Sequence, residues 1–403
     1  MINYLYIHIP FCIKKCIYCD FYSIPFTSPF PPLAKGRIGG VAGDYINALR
    51  KEIELRKGVA DNLKAIFIGG GTPTILSEKD IAEILNAVRE NYSINPDAEI
   101  TIEANPRTIT EEKAEGLLKS GINRISIGVQ SLIDKELVFL GRSHNADDAV
   151  KAVRDVKGAG FRNTSVDLIY GIPRLKEQRA KGKGYIRNWE YSLQKALELN
   201  PEHISTYELT PEKNTPLYDD IKAGIITMPD EGVIAEMYYK GIDILKEQGY
   251  IHYEISNFAR KHEYNGYECK HNLNYWNRGE YLGIGAGAHS FFQGIRMSNA
   301  RDVIRYIKSI DDNKIPVAEE THITNDEALK EFIFLGMRKI EGIDISQIPD
   351  EKRILISKAV EELSSHGLVE VKGNYLRLTR KGLILSNEVI VQVLLALEGL
   401  PPS

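Results

Sequence analysis

The sequence is short of thiols, with four cysteines in 403 residues. No secretory signal precedes them, and cytosolic thiols stay reduced, so a disulfide framework is excluded. Paired C-x-x-C knuckles are missing too, and a structural zinc site needs four closed ligands of that kind. Neither sign of charge is in excess: a net charge of −4 offers no polyanion-binding surface and argues against nucleic acid as a partner. No apolar run approaches the roughly 20 residues needed to span a bilayer. The apolar start has no basic n-region and carries His8, Pro10 and the cysteines, so the chain reads as cytoplasmic, with no integral membrane segment.

What is present is concentrated. Cys12, Cys16 and Cys19 share one short loop behind an aromatic and β-branched run, Tyr4 to Ile9, which is long enough for a buried strand and is ended by Pro10. Spacings of four and three residues let three thiolates converge on one centre, and Cys269, far downstream, is the only other thiol. A cubane iron–sulfur cluster held by three cysteines fits this set, because it leaves one iron open to a small-molecule ligand. The plainer alternative, buried cysteines acting as small hydrophobes, ranks below it.

A length of 403 residues with 43% hydrophobic content suits one large α/β domain and a smaller one. Helical periodicity follows over Asp44–Lys57, with Asp44 as the expected N-cap. Strand-then-helix units then repeat, with strands expected at Leu63–Ile68, Ala98–Ile102, Asn123–Ile127, Asn163–Ile169 and His203–Tyr207. Six such units imply an all-parallel sheet with right-handed crossovers. The polar clusters follow the strand ends: the cysteines the first, Gly69-Gly70-Gly71-Thr72 the second, Glu103 the third, Gln130 the fourth, Tyr207-Glu208 the sixth. In a parallel barrel the active site is assembled there, so an open (β/α)6 partial TIM barrel is expected over a doubly wound sheet. Two stretches, the Pro/Gly-rich 24–43 and the basic 174–185, read as surface insertions.

The cysteine loop, GGGTPT at 69–74, IEANP at 102–106, SIGVQS at 126–131, VDLIYGIP at 166–173 and HNLNYWNRGEYLGIGAGAHSF at 271–291 together resemble the radical SAM superfamily. Within it they resemble the coproporphyrinogen-oxidase-like branch, and there the HemW-type haem chaperones. The resemblance implies a [4Fe–4S] cluster on Cys12, Cys16 and Cys19, with S-adenosylmethionine (SAM) chelating the open iron through its amino and carboxylate groups. In the reactive members an electron from the reduced cluster splits the sulfonium to a 5′-deoxyadenosyl radical, which implies an electron donor. By resemblance Gly70, Gly71 and Thr72 contact the methionine moiety, and Gln130, Arg142 and Asp167 match positions lining a second SAM site. The residues agree: glycines allow close backbone approach, Glu103 at a strand end can accept from a ribose, and Tyr6 and Tyr18 flank the cysteines as packing partners for cluster or nucleoside. Helix capping is the plainer role for the strand-end acids, and six loops acting together outweigh it.

A second dense region holds Cys269, His271, Asn272, Tyr275 and Trp276. A thiol and an imidazole beside aromatics can ligate or stack on a metalloporphyrin, whereas composition alone reads them as core aromatics and a satisfied histidine. The H-N-x-x-Y-W string resembles a signature of the HemW-type chaperones, which implies haem there. Gly283, Gly285 and Gly287 imitate a dinucleotide fingerprint, but the spacing is wrong and no partner acid follows. Beyond Asn325, a helix, a second helix over Glu351–Ser365 and a hairpin around Gly373 point to a winged-helix-like domain whose mixed charge argues against DNA. The expected domains are 1–210, the partial barrel; 211–324, its extension; and 325–403, the winged-helix-like part.

Three functions follow: a haem chaperone passing its ligand to an acceptor protein, an oxygen-independent coproporphyrinogen III oxidase, and a DNA-binding regulator. Phe21 stands where the resembled oxidases have a further cysteine, and only Met1 to Asn3 precede the first strand where they carry a long arm. The chaperone leads, and productive cleavage of SAM is left open.

Overall fold

Apolar and polar residues alternate along expected strands such as Ala98–Ile102 and Asn123–Ile127, and the structure shows what the alternation is for. It is a computed structural model that describes residues 1–26, 40–175, 182–261 and 266–400. Strands β1 (Ile2–Ile9), β2 (Ala60–Gly70), β3 (Ile94–Ala104), β4 (Arg124–Gln130), β5 (Thr164–Tyr170) and β6 (His203–Glu208) pair in parallel in the order of the chain. The order never reverses, so this is the winding of a partial barrel and not of a doubly wound sheet. Leu5, Ile7, Ile9, Ile66, Ile68, Ile102, Ile125, Ile127, Val166 and Ile204 are buried on one face of it. The opposite face carries Tyr4, Tyr6, His8, Glu99, Glu103, Arg124, Ser126, Ser165, Asp167 and His203, because successive side chains leave a strand on opposite sides. A polar interior results.

Helices α1 (Gly40–Leu55), α2 (Glu78–Asn91), α3 (Glu111–Ser120), α4 (Asp134–Phe139), α5 (Ala146–Gly158) and α6 (Lys183–Glu198) fill the connections between the strands, α4 and α5 sharing the one from β4 to β5. Local sequence starts three of them: Ser77, Thr110 and Asn145 accept the N3 backbone N–H of α2, α3 and α5. Helix α1 begins earlier than expected. Asp44 lies in its second turn and not at its N-cap, because the buried stripe Tyr45, Ile46, Leu49 and Ile53 nucleates a helix that then extends back through Gly40. Residues 40–43 and 183–185, read as parts of insertions, are helical, while 27–39 and 176–181 lie outside the described residues. Strand β2 outruns expectation as β1 continues to pair His8 with Gly69 and Ile9 with Gly70, and β3 starts early where Ile94 pairs with Leu63.

A seventh parallel strand, Leu282–Ile284, lies on the other edge of β1 and was not foreseen. Its glycines serve packing: a Cβ on Gly283 would lie 1.9 Å from the His289 carbonyl oxygen, and one on Gly285 (φ +107°) 2.6 Å from the Tyr45 hydroxyl. Helix α1 grips the segment with Glu52, wholly buried, which accepts from Gly285 N at 2.8 Å, Tyr306 Oη at 2.7 Å, Asn299 Nδ2 at 2.8 Å and Arg56 Nε at 3.0 Å. Tyr45 Oη donates to the His8 carbonyl at 2.8 Å and accepts from Ala286 N at 2.9 Å.

The chain forms two compact units, Met1–Gly241 with Glu280–Thr321, and Ile242–Gly279 with His322–Ser403. The second contains the hairpin Tyr250–Glu254/Asn257–Arg260 and the helix Lys270–Trp276. It continues with helix Asn325–Gly336, strand Ile343–Asp344, helix Asp350–Ser365 and the hairpin Val369–Lys372/Tyr375–Leu378, the order of a winged helix. Among the described residues no helix is long and apolar enough to cross a membrane.

Candidate functional site

Pro10 ends β1, and the cysteine loop beyond it is fastened on both sides. Gly71 N donates to Ile9 O at 2.8 Å and Thr72 N to Phe11 O at 2.7 Å. Ile24 N and Phe26 N reach Pro10 O and Cys12 O, each at 2.7 Å, and Ile17 N donates to Leu140 O at 3.3 Å. Cys12 Sγ lies 3.5 Å from Thr72 Oγ1, and Arg142 Nη1 donates to Cys16 Sγ at 3.4 Å. Burial pushes the Cys19 thiol up to about 11 against the Phe21 N–H, and neighbouring Cys16 and Cys12 raise it further; burial raises Cys12 as well. Among the described residues no three His, Cys, Asp or Glu side chains converge as the ligands of one ion. Three thiols near enough to act on one another suit a cubane, which seats each ligand on its own iron. Bound metal would invert their titration and hold them as thiolates.

The glycine turn is built against this loop. A Cβ on Gly71 would lie 2.5 Å from Phe11 O, and one on Gly70, whose φ is +116°, 2.5 Å from the His8 ring. The missing side chains thus admit protein as well as leaving backbone accessible. Gly70 N donates to Glu103 Oε2 at 3.0 Å. Burial pushes Glu103 up to about 7; the Gly70 N–H opposes this, Asp167 adds to it and Arg124 opposes it.

Of the remaining expected residues, Tyr6 and Asp167 lie on the same polar face. Tyr6 stacks on Phe67 with centroids 6.3 Å apart, and its hydroxyl lies 2.9 Å from His8 Nδ1. His8 Nε2 lies 3.0 Å from Tyr22 O. A carbonyl only accepts, so Nε2 carries the proton and Tyr6 donates to Nδ1; burial lowers His8 to about 4 and keeps it neutral. Tyr18 packs on the cluster of Leu140, Ile169, Ile172, Leu209 and Leu217. At the end of β4 the register shifts and Gln130 adopts φ +68°, a bulge that re-aims its side chain. Asp167 accepts from Ser126 Oγ at 3.0 Å and Ser165 Oγ at 3.3 Å, and burial raises its carboxyl against these hydroxyls. Arg124, 2% exposed, lies 4.0 Å from Glu99 and acts on Glu103, Asp167 and His203. His8 and Arg124 were missed; the available signal was a polar residue at an inward position of an otherwise apolar strand.

In the second unit, the H-N-x-x-Y-W residues form the helix Lys270–Trp276. His271 is buried, its Nε2 lies 2.9 Å from Tyr275 Oη, and burial lowers it to about 3. Cys269 is wholly buried, and its N–H donates to Tyr253 Oη at 3.2 Å. As placed, His271 supports the helix, while Asn272, Tyr275 and Trp276 are half-exposed.

Comparison with known proteins decides the family. Over 391 residues, 95% of this chain and 97% of the other, the sequence is 34% identical to the heme chaperone HemW of Bacillus subtilis. The chain belongs to the HemW family. A HemW relative from Escherichia coli is 39% identical over 287 residues, 71% of this chain and 69% of that one. The radical SAM superfamily model matches residues 6–182 and the HemN C-terminal domain model residues 323–385. Among solved structures, the radical SAM enzyme coproporphyrinogen III oxidase (HemN) of Escherichia coli superposes with a TM-score of 0.78 over 98% of this chain and 89% of that one. Its identity is 23%, so this likeness speaks for the fold. The radical SAM match implies a [4Fe–4S] cluster and SAM as cofactors.

Proposed function

We propose that this protein is a haem chaperone that binds a [4Fe–4S] cluster through Cys12, Cys16 and Cys19, holds SAM beside it, and delivers haem to an acceptor protein. The observation that carries the reading is similarity to HemW heme chaperones along almost the whole chain, 97% of the Bacillus subtilis protein. When bound, the cluster offers SAM an open iron and a single electron. The chain's own contribution is placement. Gly70, Gly71 and Thr72 present backbone and hydroxyl next to Cys12, Glu103 offers a carboxylate oxygen beyond its bond to Gly70 N, and Tyr6 and Tyr18 wall the loop. Gln130, Arg142 and Asp167 are the proposed polar contacts for further SAM atoms. Haem is assigned to the Asn272, Tyr275 and Trp276 face, with His271 as its support or, if it swings out, as an iron ligand.

The test is a haem titration run beside an anaerobic assay for CO2 release from coproporphyrinogen III. A shifted Soret band with no CO2 is the expected pair. Absence of haem binding at micromolar concentration refutes the chaperone, and CO2 release restores the oxidase.

A further inference from the structure

Arg142 is engaged by the protein before any ligand arrives. Its Nη2 donates to Gly128 O at 2.7 Å and its Nη1 to Cys16 Sγ at 3.4 Å, and the nearby Tyr18 side chain acts on its charge. Gly128 makes room for this, since a Cβ there would lie 3.2 Å from Nη2. The guanidinium therefore ties the end of β4 to the cysteine loop at Cys16. Only its Nε, buried, is left without a hydrogen-bond partner.

We propose that Arg142 is a positioning residue for the cluster itself, whose charge-assisted hydrogen bond to Cys16 raises the cluster's reduction potential whether or not SAM is bound. This rests on the assignment of Cys12, Cys16 and Cys19 as cluster ligands. Reduction adds negative charge to the cluster and its sulfurs. A fixed cation donating to a ligand sulfur, in a half-buried site where water screens poorly, stabilises the more negative state. A residue that only contacted SAM would have no effect on the cluster in the absence of SAM. A lysine keeps the charge but not the fork, whose two separate nitrogens let Nη2 take Gly128 O while Nη1 takes Cys16 Sγ.

The experiment is a potentiometric titration of the cluster-loaded full chain without SAM, followed by the paramagnetic signal of the reduced state. Arg142→Gln is expected to lower the midpoint by the equivalent of about tenfold in the reduction equilibrium, 59 mV for a one-electron couple. Arg142→Lys is expected to fall between Arg142→Gln and wild type. A wild-type midpoint in Arg142→Gln with full iron content overturns the proposal. If Arg142→Gln fails to hold its cluster, Arg142→Lys decides, and a wild-type midpoint there overturns it equally. Wild-type protein that takes up no cluster refutes instead the function proposed above.

Discussion

Replacing Glu52 by alanine is expected to destabilise the first unit by about 4 kcal/mol. The carboxylate is wholly buried and takes four donors: Arg56 Nε, Asn299 Nδ2, Gly285 N and Tyr306 Oη. Removing it strands the Arg56 guanidinium, which is 5% exposed, and an uncompensated buried charge costs about 3–5 kcal/mol. Three further donors lose an acceptor, at about 1–3 kcal/mol each if nothing replaced it. The losses do not add, because Arg56 Nη2 keeps Asn299 Oδ1 at 3.0 Å and water can enter the space left behind. The total therefore sits within the range for a broken buried pair. Urea unfolding of Glu52→Ala, Arg56→Met and the double variant measures it. Removing both charges must be milder than the sum of the single changes, with a coupling of about 1–3 kcal/mol. A Glu52→Ala loss under 1 kcal/mol, or an additive cycle, would show that the network is not what seats the strand Leu282–Ile284.

Three other expectations are independent of it. Gly71→Ala drives a Cβ to 2.5 Å from Phe11 O, so it should cost about 1–3 kcal/mol and lower iron content after reconstitution; full iron content would contradict the packing role. Burial pushes Glu254 up to about 7, against the Ser256 N–H, Asn257, Trp276 and Arg338. Its folded value exceeds its unfolded one, so its contribution is intact below about pH 4.5 and is lost as pH rises to about 7, by up to roughly 3 kcal/mol; Glu254→Gln should flatten that part of the stability profile of the second unit. His271→Phe should destabilise the helix Lys270–Trp276 and weaken haem binding together, whereas Asn272→Ala should weaken haem binding with unfolding unchanged. If His271→Phe alone abolishes the Soret shift without altering unfolding, His271 is an iron ligand.

The barrel was legible because its signal is local and repeated: six short strand-like runs in strand-then-helix units. The cysteine loop and the glycine turn were legible because their residue types are rare in such spacing. The seventh strand was not, since three residues, Leu282–Ile284, carry too little periodicity and only β1, far back in the chain, makes them a strand. The glycines around them imitate a ligand motif that their spacing rules out, and their reason is the closeness of His289, Tyr45 and Tyr22. Arg124 and His8 escaped notice for a related reason: a polar residue in a strand is informative only once its neighbours across the sheet are known. The early start of α1 was hidden by Gly40 and Gly43, poor helix formers carried by a packed stripe downstream.

The late return of the strand Leu282–Ile284 to β1 sets a clock on biogenesis. At about 5–20 residues per second, β1 leaves the ribosome tens of seconds before its partner does. Throughout that interval the strand that leads into the cysteines has an open edge, and the Tyr45 hydroxyl waits for Ala286 N. A chain stopped short of Leu282 would contain all six βα units and the three clustered cysteines, and still present an unpaired strand to its neighbours. Cluster loading that awaits completed synthesis would meet a closed sheet, and loading during synthesis would meet one able to pair with the wrong chain.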